Sequence, residues 1–365
     1  MIPYADLKAQ YHSIKSEIDA AVLRVLESTQ FILGEEVSAF EREFASYCQA
    51  PQSVAVNSGT SALHLALLAA GIGPGDEVIT TPFTFVATVA AIRYTGARPV
   101  FVDIEPDYFT IDVSKIESAM TPRTRAIMPV HLYGQPADMD PILDIARPRG
   151  LTVIEDAAQA HGSEYHGRRC GSLSEIAAFS FYPGKNLGAY GEGGALTTRR
   201  ADIAATCRTL RNWGEETRYE HRLKGFNYRM DGIQGAILRV KLRHLEAWTE
   251  RRRQVAAWYS EVLDTESIRL PKARAGCRHV YHVYVVRSEA RDELREALTK
   301  EGIQTGIHYP IPVHLQPAHA DLGYRSGDFP VAEVVAREVL SLPIFPEMTR
   351  DQVQTVAAVV SKARV

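Results

Sequence analysis

Short apolar runs alternate with helical stretches of about ten residues through the first half of the chain, and this alternation restricts the fold more than any other feature. Runs at 54–56, 77–80, 99–104, 125–130 and 151–155 read as strands. Between them, residues 62–70, 85–94, 113–120 and 139–146 carry helical spacing, and Gly71 and Gly96 are placed to stop the first two. Strands joined by helices demand right-handed crossovers around a mostly parallel sheet. Such strands are covered on both faces and read as apolar runs rather than alternating ones, a pattern that VFVDI and TVIED fit. Two further strands are expected at 176–181 and 194–198, joined by a Gly-rich loop. From 233 to 263 the pattern becomes one long helix of interdomain type. The remainder mixes a short strand (282–287) with helices (291–301 and 331–340). A chain of 365 residues is too long for a single core. We expect a large α/β domain over 1–250, including an N-terminal arm and the start of the long helix, and a smaller C-terminal α+β domain over 251–365.

Net charge is -3 with no long basic run, which argues against nucleic acid or an anionic membrane as partner. No run of roughly 18 apolar residues is present to span a bilayer, and MIPYADLKAQYHSIKSEID lacks the apolar core of a signal peptide. Cys48, Cys170, Cys207 and Cys277 are scattered, as free thiols in a reducing cytoplasm would be. His308, His314 and His319 lie in a Pro-rich loop without the spacing of a tetrahedral site, so no metal is expected. GIGPGD follows a helix and precedes a strand, the reverse of a dinucleotide fingerprint, and reads as a turn.

The chemistry concentrates in EDAAQ and SFYPGK. Asp156 ends a strand expected to be buried, and ligands of open α/β sheets bind at the carboxyl ends of strands. A carboxylate is costly to bury unless a cation meets it; a protonated pyridine nitrogen is such a cation, and a ring kept positive absorbs the electrons of a carbanion. Taken singly, Asp156 reads more simply as a helix N-cap. Lys185 follows the next strand in GKNLGAYGEGG, a loop too rich in glycine for an ordinary surface turn. There a desolvated amine loses its proton readily and attacks an aldehyde. Asn57-Ser58-Gly59-Thr60 joins a strand to a helix whose N-terminus suits a phosphate, with Thr60 and Ser180 as added donors and a plain N-cap as the simpler alternative. Phe85 is placed either to stack on a flat ring or to fill the core.

These segments resemble the DegT/DnrJ/EryC1/StrS sugar aminotransferases, a branch of the fold-type-I, aspartate-aminotransferase-like pyridoxal-phosphate enzymes. NSGTSALHLAL, GIGPGDEVITTPFTFVATVAAI, PVFVDI, MPVHLYGQPADMD, VIEDAAQAHG, FSFYPGKNLGAYGEGGA and GFNYRMDGIQGAILRVKL carry the resemblance over nearly the whole chain. It implies a seven-stranded, mostly parallel sheet flanked by helices. Lys185 would hold pyridoxal 5'-phosphate as a Schiff base, with pyridoxamine 5'-phosphate as the intermediate form. Asp156 would pair with the ring nitrogen and Gln159 would meet the phenolic oxygen. Gly59, Thr60 and Ser180 would bind the phosphate, and Phe85 would stack on the ring. Asn227 would reach the phosphate of a neighbouring subunit, which implies a homodimer with shared sites. Glu192 stands where Asp is usual, without implied consequence. HYPIPVHLQP resembles members acting on nucleotide-linked 3-keto sugars and places His308 and Tyr309 near the hexose, with Tyr182 as another wall. Lys224 and Arg229 would meet a diphosphate or the donor's carboxylate, or form an interface salt bridge. The implied activity is amino transfer from L-glutamate or glutamine to a keto group, C3 by preference, of a dTDP-linked deoxyhexose. The alternatives are C4, a UDP or GDP sugar, or a sugar dehydratase, in which histidine replaces the lysine. A non-catalytic sensor is disfavoured by the intact Asp156, Gln159 and Lys185 set.

Overall fold

The computed structural model describes residues 1–263 and 268–363. Seven strands form the central sheet in the order Gln52–Val56, Gly194–Thr198, Ile176–Ser180, Thr152–Asp156, Thr124–Ile127, Glu77–Thr80 and Arg98–Phe101. All neighbours are parallel except at Gly194–Thr198, which runs antiparallel to both strands beside it. Successive residues of each strand feed opposite faces. Ala55, Ile79, Ile127, Val153 and Ala177 join one apolar cluster, whereas Val54, Val56, Val78, Ala126, Ile154 and Ala178 join the other. Both faces are dry, which accounts for the continuous apolar runs.

The helices Gly59–Ala69 and Val86–Tyr94 follow their strands as the pattern requires. The second ends at Gly96, whose φ of +84° suits a residue without a side chain. Residues 113–120 do not form the expected helix. They make two separate 3-10 turns, Val113–Lys115 and Glu117–Ala119. Asp112 accepts the Ser114 N–H and fixes the first as a tight turn. Three helices precede the sheet: Leu7–Ser13, Lys15–Ser28 and Glu35–Tyr47.

The long helix Gly232–Val262 has 31 residues, about 46 Å at 1.5 Å per residue. Ala236, Ile237 and Val240 pack on the N-terminal helices, Leu238 and Leu245 reach the main core, and Val255, Ala256 and Tyr259 enter the C-terminal cluster. That cluster lies around the antiparallel pair Tyr284–Arg287 and Val339–Leu342 and the helices Arg291–Lys300 and Arg350–Ala363. The helix expected over 331–340 covers Pro330–Glu338 only, because Val339 and Leu340 turn into the strand that pairs with Tyr284–Arg287. Asp103, just beyond the strand Arg98–Phe101, accepts the Val331 and Ala332 N–H groups at 3.0 and 2.9 Å and ties this helix to the sheet. The expected domain boundary at 250/251 falls within this long helix, and residues 264–267 and 364–365 lie outside the described residues.

Candidate active site

Asp156 is the last residue of its strand and pairs in register with Ala178 of the parallel neighbour Ile176–Ser180, whose following loop carries Lys185. The two groups thus arrive at the same edge of the sheet from adjacent strands. Asp156 is buried; its Oδ2 accepts the Thr88 hydroxyl at 2.7 Å and its Oδ1 the Ala158 N–H at 3.2 Å. Burial raises its carboxyl above the ordinary carboxylate range, opposed by Thr88, Ala158 and the charge of Lys185. Desolvation pushes the Lys185 amine down to about 8, against the pull of Asp156. Each group feels the other through space, yet no direct ion pair joins them.

The helix Gly59–Ala69 starts beside them. Ser58 accepts the Ser61 N–H at 3.1 Å and caps it, while the N–H groups of its first residues have no partner within the helix. A Cβ at Gly59 would stand 2.6 Å from the Ser180 Cβ, and one at Gly194 2.2 Å from the Ser58 carbonyl oxygen. Glycine at both positions lets the helix start press against the ends of two strands, bringing Thr60 and Ser180 to one place.

Gln159 is fixed at both ends of its amide. Its Oε1 accepts the Tyr133 N–H at 2.7 Å and its Nε2 donates to the Tyr309 hydroxyl at 3.0 Å. Because Tyr133 N–H only donates, the orientation of the amide is settled, and the second Nε2 hydrogen remains to meet an oxygen. Tyr309 lies 5.7 Å from the Phe85 ring, tilted by 39°. Phe85 itself is 53% exposed and Tyr182 56%, so both line the rim instead of the core. His308 meets the Ser341 hydroxyl at 2.8 Å through Nδ1, and its carbonyl accepts the Tyr133 hydroxyl. Burial and then the charge of Lys185 lower its imidazole to about 4.

Among the described residues no hydrogen bond or ion pair joins Asn227, Lys224 or Arg229 to Lys185 or Asp156. The Asn227 segment nonetheless adjoins Asn57, whose N–H donates to the Tyr228 carbonyl at 3.0 Å just before the helix start. The Asn57 Nδ2 donates to the Asn227 carbonyl at 3.3 Å, and Arg229 Nε donates to the Asn227 side-chain oxygen at 3.1 Å. Lys224 and Asn227 are exposed.

Several residues around the site carry no signal in the sequence. Thr88 and Tyr133 hold Asp156 and Gln159, as described. Asn186, next to Lys185, donates to the Val280 carbonyl at 3.1 Å and meets His282 at 3.3 Å, anchoring the lysine loop to a segment nearly a hundred residues later. Among the described residues, His131, Glu155 and Cys170 form the one group close enough to hold a metal. Two of its three donors are already engaged. Glu155 meets His131 Nε2 at 3.1 Å and accepts the N–H groups of Gly171, Leu173 and Ser174, while His131 Nδ1 accepts the Ala137 N–H.

The sheet order, the strand-end acid and the amine on the next loop define an aspartate-aminotransferase-like transferase. The chain belongs to the DegT/DnrJ/EryC1/StrS aminotransferase family, whose family model matches residues 12–361. It is 50% identical over 352 residues to a dTDP-3-amino-3,4,6-trideoxy-alpha-D-glucose transaminase of Streptomyces venezuelae, covering 96% of this chain and 93% of that one. It is 45% identical to a UDP-N-acetyl-3-dehydro-alpha-D-glucosamine 3-aminotransferase of Acidithiobacillus ferrooxidans, covering 99% and 97%. The crystal structure of S. venezuelae DesV in complex with a ketimine intermediate superposes with a TM-score of 0.97 at 49% identity, covering 99% of this chain and 98% of that one. Other solved relatives are in pyridoxal-phosphate or pyridoxamine-phosphate forms. The protein is a sugar aminotransferase, and the separated Asp156 and Lys185, with the glycine-lined helix start, fit such a cofactor.

Proposed function

We propose that this aminotransferase moves an amino group from L-glutamate to the C3 ketone of a dTDP-linked deoxyhexose, with Lys185 as the residue that carries the cofactor. The depressed Lys185 amine facing the buried Asp156 is the observation that carries the proposal. Pyridoxal phosphate, when bound, supplies an aldehyde that takes the amino group and a ring that absorbs carbanion electrons. Asp156 would hold a proton on the ring nitrogen, Gln159 would offer its free Nε2 hydrogen to the phenolic oxygen, and Gly59, Thr60 and Ser180 would receive the phosphate. The neutral Lys185 amine would take the proton from the donor's α-carbon as a base and, once charged, would deliver it as an acid to the carbon that began as the cofactor's aldehyde. Phe85, Tyr182, His308 and Tyr309 form walls for the ring and the hexose.

Two named relatives, one of a dTDP sugar and one of a UDP sugar, both concern position 3, which supports C3 more firmly than the nucleotide. Asn227, Lys224 and Arg229 serve the site of a second copy in a homodimer. Residues 1–250 and 251–365 are the two domains, joined through the long helix. Among the described residues no helix is long and apolar enough to cross a membrane; with four free cysteines, a reducing cytoplasm is the proposed setting.

The test is a panel of 3-keto and 4-keto sugars linked to dTDP, UDP and GDP, each supplied with glutamate and read by mass spectrometry. The expected result is an aminated product from the 3-keto dTDP sugar with one 2-oxoglutarate released for each. Loss of a hydroxyl without amination would move the reading to a dehydratase.

The Lys185 amine also has a pH signature. Only its neutral form attacks an aldehyde, so attachment of pyridoxal phosphate to the cofactor-free protein should accelerate as pH rises through about 8 and level off above it. Absorbance of the attached cofactor follows this directly. A midpoint near the ordinary lysine value of 10.5 would mean an amine that keeps its water.

A further inference from the structure

Thr88 makes the shorter of the two hydrogen bonds to the Asp156 carboxylate, 2.7 Å against 3.2 Å for Ala158 N–H. It lies in the helix Val86–Tyr94, 68 positions before Asp156. Thr88 is 1% exposed, Thr84 3% and Asp156 4%, so water is excluded from all three. An ionised carboxylate only accepts, so the single Thr88 proton goes to Asp156, and the Thr88 oxygen is left to accept the Thr84 hydroxyl at 2.8 Å. A threonine inside a helix ordinarily turns its hydroxyl back to the carbonyl four residues earlier. Here the residue four positions earlier, Thr84, supplies a proton instead, and hydroxyls joined in series polarise one another.

We propose that Thr88, backed by Thr84, is the positioning residue that keeps Asp156 ionised and aimed at the cofactor's ring nitrogen, so that this pair of hydroxyls sets how firmly that nitrogen keeps its proton. This rests on the assignment of Asp156 made above. Burial works against ionisation of Asp156, and Thr88 is the largest influence opposing it, ahead of the Ala158 N–H, Lys185 and His131. Those groups and the Tyr309 hydroxyl face the carboxylate. None of Lys185, His131 and Tyr309 donates to it directly, so no side chain already bonded there takes over when the Thr88 hydroxyl is removed.

The test loads the full chain with pyridoxal phosphate carrying nitrogen-15 in its ring. In the parent the ring nitrogen should resonate as a protonated pyridine. Thr88→Val, similar in size but without the hydroxyl, should shift the signal toward the unprotonated position. It should also lower kcat about tenfold, the worth of one hydrogen bond to a charged group, while borohydride still fixes the cofactor to the chain. Thr88→Ser should restore both signal and turnover. Thr84→Val should give a smaller shift of the same sign and carries the test if the first variant fails to fold. An unmoved ring-nitrogen signal in loaded Thr88→Val overturns the proposal whatever turnover does, as does a serine variant no better than the valine one. A parent whose ring nitrogen is already unprotonated removes the Asp156 assignment itself, and the proposal with it. The parent sample and the variant samples thus tell the two failures apart.

Discussion

Lys185→Ala is expected to lower turnover by roughly 10⁴-fold, the upper range for loss of a positioned acid–base group, and to leave no cofactor fixed to the chain after borohydride reduction. The amine has two tasks in the proposed reaction, to hold the cofactor and to carry the proton, and no neighbour replaces it. His161, His282 and His308 all lie within electrostatic reach of Lys185, but burial keeps each imidazole well below its usual range, His161 at about 3 and His308 at about 4. They are weak bases at neutral pH. The substitution should leave the fold intact, because the loop is held by the Lys185 N–H on the Tyr182 carbonyl at 2.8 Å and by Asn186, both kept in the variant. Steady-state rates and the mass of the reduced protein decide the matter together. A variant with near-normal turnover would end the assignment.

Asp156→Asn is expected to lower turnover a hundredfold to a few thousandfold, roughly the 3–5 kcal/mol that follows when one member of a buried charge pair is removed, while cofactor remains attached to Lys185. The amide has the shape of the acid and can still accept from Ala158 N–H. What it lacks is the negative charge that holds a proton on the ring nitrogen. Attachment measured by borohydride, set against turnover, separates this result from that of the lysine variant. Unchanged turnover would show that the acid is structural, an N-cap after a strand and nothing more.

Where local signals agreed, the sequence was easily read. Residues 77–80, 139–146 and 194–198 were expected as the strand Glu77–Thr80, the helix Met139–Ala146 and the strand Gly194–Thr198. Each is a short strand-like segment or a clean helical stripe set off by turn residues. Residues 113–120 misled because Val113, Ile116 and Met120 have helical spacing, yet Asp112 closes a turn too tight to continue. In 331–340, Val335, Ala336, Val339 and Leu340 prolong the helical stripe across a boundary that only pairing with a distant strand reveals. The reversed direction of Gly194–Thr198 is likewise set by its two neighbours and not by its own residues. At the site, Asp156 and Lys185 were legible because strand ends and glycine-rich loops leave local marks. Thr88 was not, since a threonine within a helix looks neutral and its partner lies far along the chain. Tyr133 adopts a φ of +60°, which its sequence neighbours do not announce.

The double anchoring of the Gln159 amide, by Tyr133 on one side and Tyr309 on the other, bears on how the pocket behaves through repeated turnover. A glutamine free to rotate would surrender roughly 1 kcal/mol or more of rotamer freedom each time it engaged a guest. This one is immobilised when the chain folds, so its ordering is complete before the first molecule arrives and recurs in no later cycle.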